Sequence, residues 1–401
     1  MVISRVEDGR LKRHLKSVIR QISEIWGRFV ISQARNLWVL DQFVPVQTIS
    51  RSIFYYEPQY FGQHEYYEGP KSCELFPPNP PKLTLNTKPT LLATPYFFCV
   101  PNAASKGFVV ADPQDPDRLM IETYADVKWI DRDTFWPDKG RRIRRAITDA
   151  TKGRAPDHET GYLFSTRGWD NYYHFLIDAC AKFVDLDNHG AIDPSDRLVV
   201  AQPLLKFQEA YLPLVGIDPD KIVNVKKEAR KFGQLKIGSP RRQVYVASKH
   251  AVNALRGRVL DNLGIKNTGG TRRLYVSRSK ATSRRIINED ALWQILERNG
   301  FEMFSPEGLS VEQQIRSFAD AEMIVAPHGA GLANLIYASQ PKVVELLPVD
   351  RWDYGYFISL TDAVSGQYTG LVSRPENAQN DFKVDLAQLE RAVSSDCAKS
   401  A

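Results

Sequence analysis

The chain has 401 residues, of which 43% are apolar and 25% charged, with a formal net charge of +6 and four cysteines. This is the composition of a globular protein with two or more domains; no apolar run of membrane-spanning length and no signal-type leader stand out, so neither a membrane span nor secretion is expected. Cys73, Cys99, Cys180 and Cys397 are far apart and match no metal-ligand spacing, which points to free thiols in the cytoplasm.

The charge is uneven, because residues 1–35 carry eight Lys/Arg against three Asp/Glu. A nucleic-acid-binding protein would spread a basic face over a folded domain, so that partner is not expected. Leu11, Leu15, Val18, Ile22, Ile25 and Phe29 recur at steps of four and three, with Lys12, Arg13, Lys16 and Arg20 on the remaining surface. The pattern predicts a basic amphipathic helix within residues 1–40. Such a helix packs on its own domain, on a second copy of the chain in a homodimer, or on an anionic membrane surface as a peripheral contact. Between residues 40 and 120, aromatic clusters and proline runs predict extended loops and short strands with no readable chemistry.

From residue 160 the pattern turns regular. Short apolar strands at 162–164, 198–201 and 243–247 alternate with helical segments, which predicts a parallel sheet. A second set follows: a strand at 273–277, helices at 289–298 and 311–321, strands at 322–327 and 342–347, and a helix at 354–363. The expected fold is α/β, with two Rossmann-like halves joined somewhere in 248–271, where Gly269 and Gly270 precede the new strand. The expected domains are 1–40, 41–250 and 251–375, with a C-terminal helix in 376–401 that crosses back.

Three clusters carry chemistry. In Asn171-Tyr172-Tyr173-His174-Phe175-Leu176-Ile177-Asp178, His174 and Asp178 are four apart and share one helix face, a spacing that suits a general base or a pair that merely satisfies itself. Arg278, Arg284 and Arg285 lie in a loop after a strand end, among Ser277, Ser279, Thr282 and Ser283. Guanidinium forks there suit a pyrophosphate. In Pro327-His328-Gly329-Ala330-Gly331-Leu332, a strand breaks into a glycine turn and restarts as a helix, whose first N–H groups and positive dipole end suit phosphate. No Gly-x-Gly-x-x-Gly follows an early strand, which argues against a nicotinamide enzyme.

These stretches, in this order, resemble glycosyltransferase family 61, which includes bacterial capsular polysaccharide biosynthesis proteins. The likeness takes in Tyr275-Val276-Ser277-Arg278, Arg284-Arg285-Ile286-Ile287-Asn288-Glu289, Leu309-Ser310-Val311-Glu312-Gln313-Gln314-Ile315 and Val344-Glu345-Leu346-Leu347-Pro348 as well, and covers about half of the chain. It implies a GT-B type transferase with two Rossmann-like domains facing a cleft, inverting at the anomeric carbon and fed by a nucleotide sugar. The acceptor would be a glycan or a lipid-linked molecule, and the product a capsule or surface polysaccharide. One departure stands out: bacterial members carry Pro-Arg where this chain has Ala181-Lys182.

On this resemblance Arg278, Arg284, Arg285, His328, the turn Gly329, Ala330, Gly331 and Leu332, and Glu345 are expected on the donor side. Asn171, Tyr173 and Lys182 are expected on the acceptor side, with His174 or Asp178 as the base and Glu345 as the runner-up. No cofactor and no metal are expected. Four Asp-x-Asp spacings occur, at Asp115/Asp117, Asp131/Asp133, Asp185/Asp187 and Asp218/Asp220, and Asp131/Asp133 alone follows an apolar stretch. The rival reading is a non-catalytic sugar- or nucleotide-binding module that kept the fold.

Overall fold

The computed structural model describes residues 146–394, apart from 167, 244, 267–268 and 349–354, and upstream of them 49–50, 59–61, 65–68, 71–76, 90–92, 95–107, 109–111 and 119–120. The predicted basic helix and the Asp131/Asp133 pair lie outside the described residues. The chain forms two units: one takes 1–58, 98–161 and 225–237, the other 59–97, 162–224 and 238–401.

In the first unit short strands pair mainly antiparallel. Ala104–Lys106 runs against Val109–Ala111 and Arg230–Gly238, and Ile49–Ser50 lies parallel to Leu119–Met120. Ala104, Ala111, Ile147 and Ala229 form a small buried cluster there.

The second unit is built on a six-stranded sheet, in the order Phe301–Phe304, Arg272–Val276, Ala321–Pro327, Lys342–Pro348, Gln367–Ser373, Cys73–Phe76, and every pair is parallel. Leaving aside Cys73–Phe76, which comes from far upstream, the strands follow the order 2-1-3-4-5 of a doubly wound fold. A parallel sheet must be covered on both faces, and its central strands, Ala321–Pro327 and Lys342–Pro348, are accordingly buried almost throughout. On one face the helices Glu289–Arg298 and Leu386–Ser394 bring Leu292, Leu296, Leu389 and Val393 onto Tyr275, Val325, Val344 and Leu371. Val311–Ala319 starts at a capping box in which the Ser310 Oγ accepts from Gln313 N at 3.1 Å and the Gln313 side chain accepts from Ser310 N at 2.8 Å. The Ser310 and Gln313 positions of the family-like stretch are therefore helix-starting residues. Asn288 and Glu289 are structural too: Asn288 pairs with the backbone of Val384, and Glu289 accepts from Tyr275 and Ser277 hydroxyls, both at 2.7 Å.

One expectation is corrected. Residues 243–247 are not a strand of a parallel sheet but part of an antiparallel hairpin, Arg242–Gln243 against Val246–Ala247. Val246 finds its burial in a cluster with Tyr67 and Leu92 rather than in a sheet. The interval 248–271 holds the helix Lys249–Asn262, capped by Ser248 Oγ and by Glu65, which accepts from the Lys249 and His250 amides.

Upstream, Arg197–Val200 lies parallel to Ile222–Asn224, and a long helical segment runs through Tyr172–His174, Phe175–Cys180 and Ala181–Asn188, the middle part wound as a π-helix. Lys182 on that segment is only 2% exposed, with its amine 5.9 Å over the Tyr162 ring. Burial pulls the amine down from 10.5 to about 8, against the opposing charge of Asp178. The displacement corresponds to about 3 kcal/mol. Because the folded state sheds this proton more readily than the unfolded chain, the cost is fully present below pH 8 and is relieved as pH rises from about 8 toward 10.5. Lys182→Met is expected to raise unfolding stability at pH 7 by roughly 1–3 kcal/mol and to abolish that gain on the alkaline side, measured by denaturant unfolding across pH. At Gly270 an added Cβ would collide with the backbone of Asp320 and Ala321. Gly270→Ala is expected to lower stability by roughly 2–4 kcal/mol, whereas Gly257→Ala, in open space on its helix, raises it by about 0.5–1 kcal/mol in the same assay.

Candidate functional site

In a doubly wound sheet of order 2-1-3-4-5, the first and third strands send their chains to opposite faces, and a crevice opens beyond their carboxyl ends. Here those strands are Arg272–Val276 and Ala321–Pro327. The residues leaving them are Ser277-Arg278 and His328-Gly329, which belong to two of the three clusters singled out in the sequence.

The glycine turn is held by His328 N donating to Leu346 O at 2.9 Å, and it leads into a 3-10 helix, Ala330–Tyr337, rather than an α-helix. The Arg278 guanidinium fills the place that a Cβ on Gly329 would claim, so a side chain at 329 would displace it. Gly331 faces open space instead. Arg278 donates to Ser283 O at 3.3 Å, while its Nε is buried without a partner, and burial lowers its proton affinity against the opposing charge of Glu307. Arg284 takes a left-handed backbone, φ 58°, and its Nη1 donates to His328 O at 2.9 Å. Such a conformation costs a non-glycine residue on the order of 1 kcal/mol and is retained where the surroundings demand it.

Arg285 departs from expectation. Its guanidinium donates to Asp381 Oδ2 at 2.7 and 3.1 Å and its amide to Asp381 Oδ1 at 2.9 Å, away from the glycine turn. Glu345 departs as well: it is 1% exposed in mid-strand, and its two oxygens are taken by His328 Nδ1 and the Tyr368 hydroxyl, each at 2.5 Å. Burial, then the Glu345 charge, push the Tyr368 hydroxyl well above its ordinary value, so it stays a donor. A carboxylate so occupied is suited neither to a base nor to a ribose ligand. It fixes His328 with Nδ1 donating and Nε2 as the other ring nitrogen.

The first cluster meets this turn. Asn171 caps its helix, accepting from Tyr173 N at 3.0 Å, and Tyr172 donates to Asn334 Oδ1 of the 3-10 helix at 2.6 Å. His174 Nδ1 donates to Asp178 Oδ2 at 2.7 Å, with Gly168 packed under the imidazole. Asp178 is in turn gripped by Arg242, Nε to Oδ1 at 2.9 Å and Nη2 to Oδ2 at 3.2 Å. Burial alone would raise the Asp178 carboxyl, but the Arg242 charge and the hydrogen bonds from His174 and Arg242 outweigh it and hold the group well below the usual carboxylate range. The Asp178 carboxylate, held this way, has little affinity for a further proton. It orients His174, whose side chain keeps 19% exposure where Asp178 keeps 2%.

Both histidines border one aromatic group at the start of the helix Tyr356–Ala363. His328 lies 5.4 Å from Phe357 and His174 6.3 Å from Tyr356, centroid to centroid, while Tyr173 touches both aromatics at 5.8 and 4.9 Å. The structure thus brings together His174, Asp178, Tyr173, Arg278, Arg284 and His328. Asn171 and Lys182, expected at the acceptor, instead cap a helix and sit buried within it. The described Asp-x-Asp pairs are structural: Asp185 binds Arg241 at 2.6 Å, Asp187 binds Arg258, and Asp218 caps a 3-10 turn. Among the described residues no three His, Cys, Asp or Glu side chains converge as a metal-ligand set. Arg242 was not anticipated, and the only signal was a pair of arginines, Arg241-Arg242, ahead of an apolar stretch.

No curated protein matches the chain significantly. Residues 172–344 match the family model described as Glycosyltransferase 61. The match opens at the helix that carries His174 and Asp178, runs through the arginine loop and the glycine turn, and ends one residue short of Glu345. Over these residues, 173 of the 401, the chain is similar to glycosyltransferase family 61.

Proposed function

We propose that the chain is an inverting, metal-independent glycosyltransferase that moves a sugar from a nucleotide donor to a hydroxyl of a glycan or lipid-linked acceptor. The observation that carries this reading is the meeting, at one switch point, of two arginines on a glycine turn with a histidine whose carboxylate partner is locked in its ionised form. Arg278 and Arg284 take the diphosphate with the Ala330 and Gly331 amides, which open a helix and so have no carbonyl within it to bond. Leaving-group charge is the main barrier, and charge-assisted donors placed where that charge develops contribute most to lowering it. His328 faces the donor, braced by Glu345 and Tyr368.

His174 is the base in this reading. Its Nδ1 proton is committed to Asp178, so Nε2 takes the acceptor proton as the acceptor oxygen bonds to the anomeric carbon and the bond to the nucleoside diphosphate breaks. The reading extends to a GT-B division into an acceptor-side half, 41–250, and a donor-side half, 251–375, to capsule or surface polysaccharide as product, and to work at the inner face of a membrane through residues 1–40.

Titration of a panel of nucleoside diphosphates, with mass spectrometry of donor turnover, tests the reading directly. Arg278→Ala is expected to weaken diphosphate binding about 10- to 100-fold. His174→Gln is expected to lower kcat by roughly 10²- to 10⁴-fold with diphosphate affinity unchanged. Donor that binds but is never consumed would establish the binding module instead. Turnover is expected to persist in EDTA; complete loss on chelation, restored by manganese, would remove the metal-independent mechanism.

A further inference from the structure

Asp178 is 4% exposed and accepts from two residues of different character, His174 on its own helix and Arg242 on the Arg242–Gln243 hairpin strand. A buried carboxylate paired with an imidazole alone would draw a proton onto that imidazole, because the ion pair is the cheapest way to keep the buried charge compensated. The imidazole would then be an imidazolium, with no lone pair for an acceptor proton. The Arg242 fork changes this balance. It already supplies the compensating charge, at two points, and leaves Oδ2 shared between Arg242 Nη2 and His174 Nδ1.

We propose that Arg242 is the positioning residue of the catalytic base: acting through Asp178, it keeps His174 neutral, with the proton on Nδ1 and the lone pair on Nε2. This rests on the assignment of His174 as the base. Other groups facing the pair do not replace Arg242. Lys182 acts on Asp178 from the same helix through its charge alone, and the Tyr173 and Tyr356 rings border His174 edge-on at 5.4 and 6.3 Å. Arg242 is itself held. Its guanidinium lies 5.6 Å over the Tyr356 ring, Tyr245 packs edge-on against that ring at 4.8 Å, and Ser359 Oγ donates to Tyr245 O at 3.1 Å, tying the hairpin to the Tyr356–Ala363 helix. The hairpin geometry, absent from the expected parallel strand, is what delivers the fork. Lysine could supply the charge at this position but not the two-point grip.

The test is nitrogen-15 NMR of labelled histidine, with the pH dependence of kcat/KM, in the wild type, Arg242→Met and Arg242→Lys. In the wild type His174 is expected as the Nδ1–H tautomer. In Arg242→Met the midpoint of His174 protonation and the acid limb of kcat/KM are expected to move up together by about one pH unit or more, so that activity lost at neutral pH returns at higher pH. Arg242→Lys restores part of the shift. An unmoved His174 midpoint in Arg242→Met would overturn the proposal. Should Arg242→Met fail to fold, Arg242→Lys decides alone: an imidazole identical to wild type in tautomer and midpoint overturns it, and an upward shift upholds it. The NMR arm needs no turnover. An inactive protein whose His174 midpoint still moves upholds the role of Arg242 and removes the assignment of the base, which keeps the two failures apart.

Discussion

The second unit depends on one topological constraint, the reversal of strand order between Arg272–Val276 and Ala321–Pro327. A parallel sheet has no hairpins, so each strand must return over one face or the other, and where the direction of return changes the two outgoing loops part. The crevice is a consequence of covering both faces of the sheet, not a feature added to it. What the sequence adds is chemistry at that place. Arg278 leaves one strand and His328 the other, and the Arg278 guanidinium lies in the space beside Gly329 that a side chain there would enter.

The second organising demand is the cost of buried charge. Asp178 and Glu345 are both almost fully buried, and each is compensated in the way its neighbours allow. Glu345 accepts from an imidazole and a phenol, and Asp178 accepts from an imidazole and a guanidinium. The two histidines therefore stand in different fields although each donates Nδ1 to a carboxylate. On the Asp178 side a guanidinium supplies positive charge at two points, whereas on the Glu345 side the described donors are an imidazole and a phenol.

How much could be read from the chain alone follows the same line. The i,i+4 spacing placed His174 beside Asp178, because one helical turn is a local geometry that no tertiary contact needs to confirm. Strand, glycine turn and arginine loop were legible for the same reason, and the helix at 289–298 matches Glu289–Arg298 residue for residue. Arg242 lies 64 residues from Asp178, and nothing in its own neighbourhood marks it. Residues 243–247 read as a strand because Val244 to Ala247 form a short apolar run, yet such a run says only that the segment is buried, not what it pairs with. The interval 248–271 reads as a joint from its polar residues and Gly269-Gly270; it holds the helix Lys249–Asn262, whose start depends on a Glu65 cap from almost two hundred residues upstream, a contact that no local pattern announces. Arg285 and Lys182 were assigned to ligands by their charge, but charge does not reveal whether an Asp381 waits nearby or whether a helix face is buried.

The departure at position 182 then acquires a physical meaning. An arginine there, as in the bacterial family pattern, would set a second permanent cation beside Asp178, since a guanidinium does not lose its proton in a protein. Lysine sets one whose amine burial has brought down to about 8. Near neutral pH the two arrangements carry the same charge, but on the alkaline side the lysine releases its proton and the arginine could not. The carboxylate that orients His174 thus keeps one permanent counter-charge, Arg242, and one that titrates. Whatever steadies the Asp178–His174 pair on the alkaline side must come from the hairpin and not from the helix, which is why the residue hardest to see in the sequence carries the heavier part of the electrostatics.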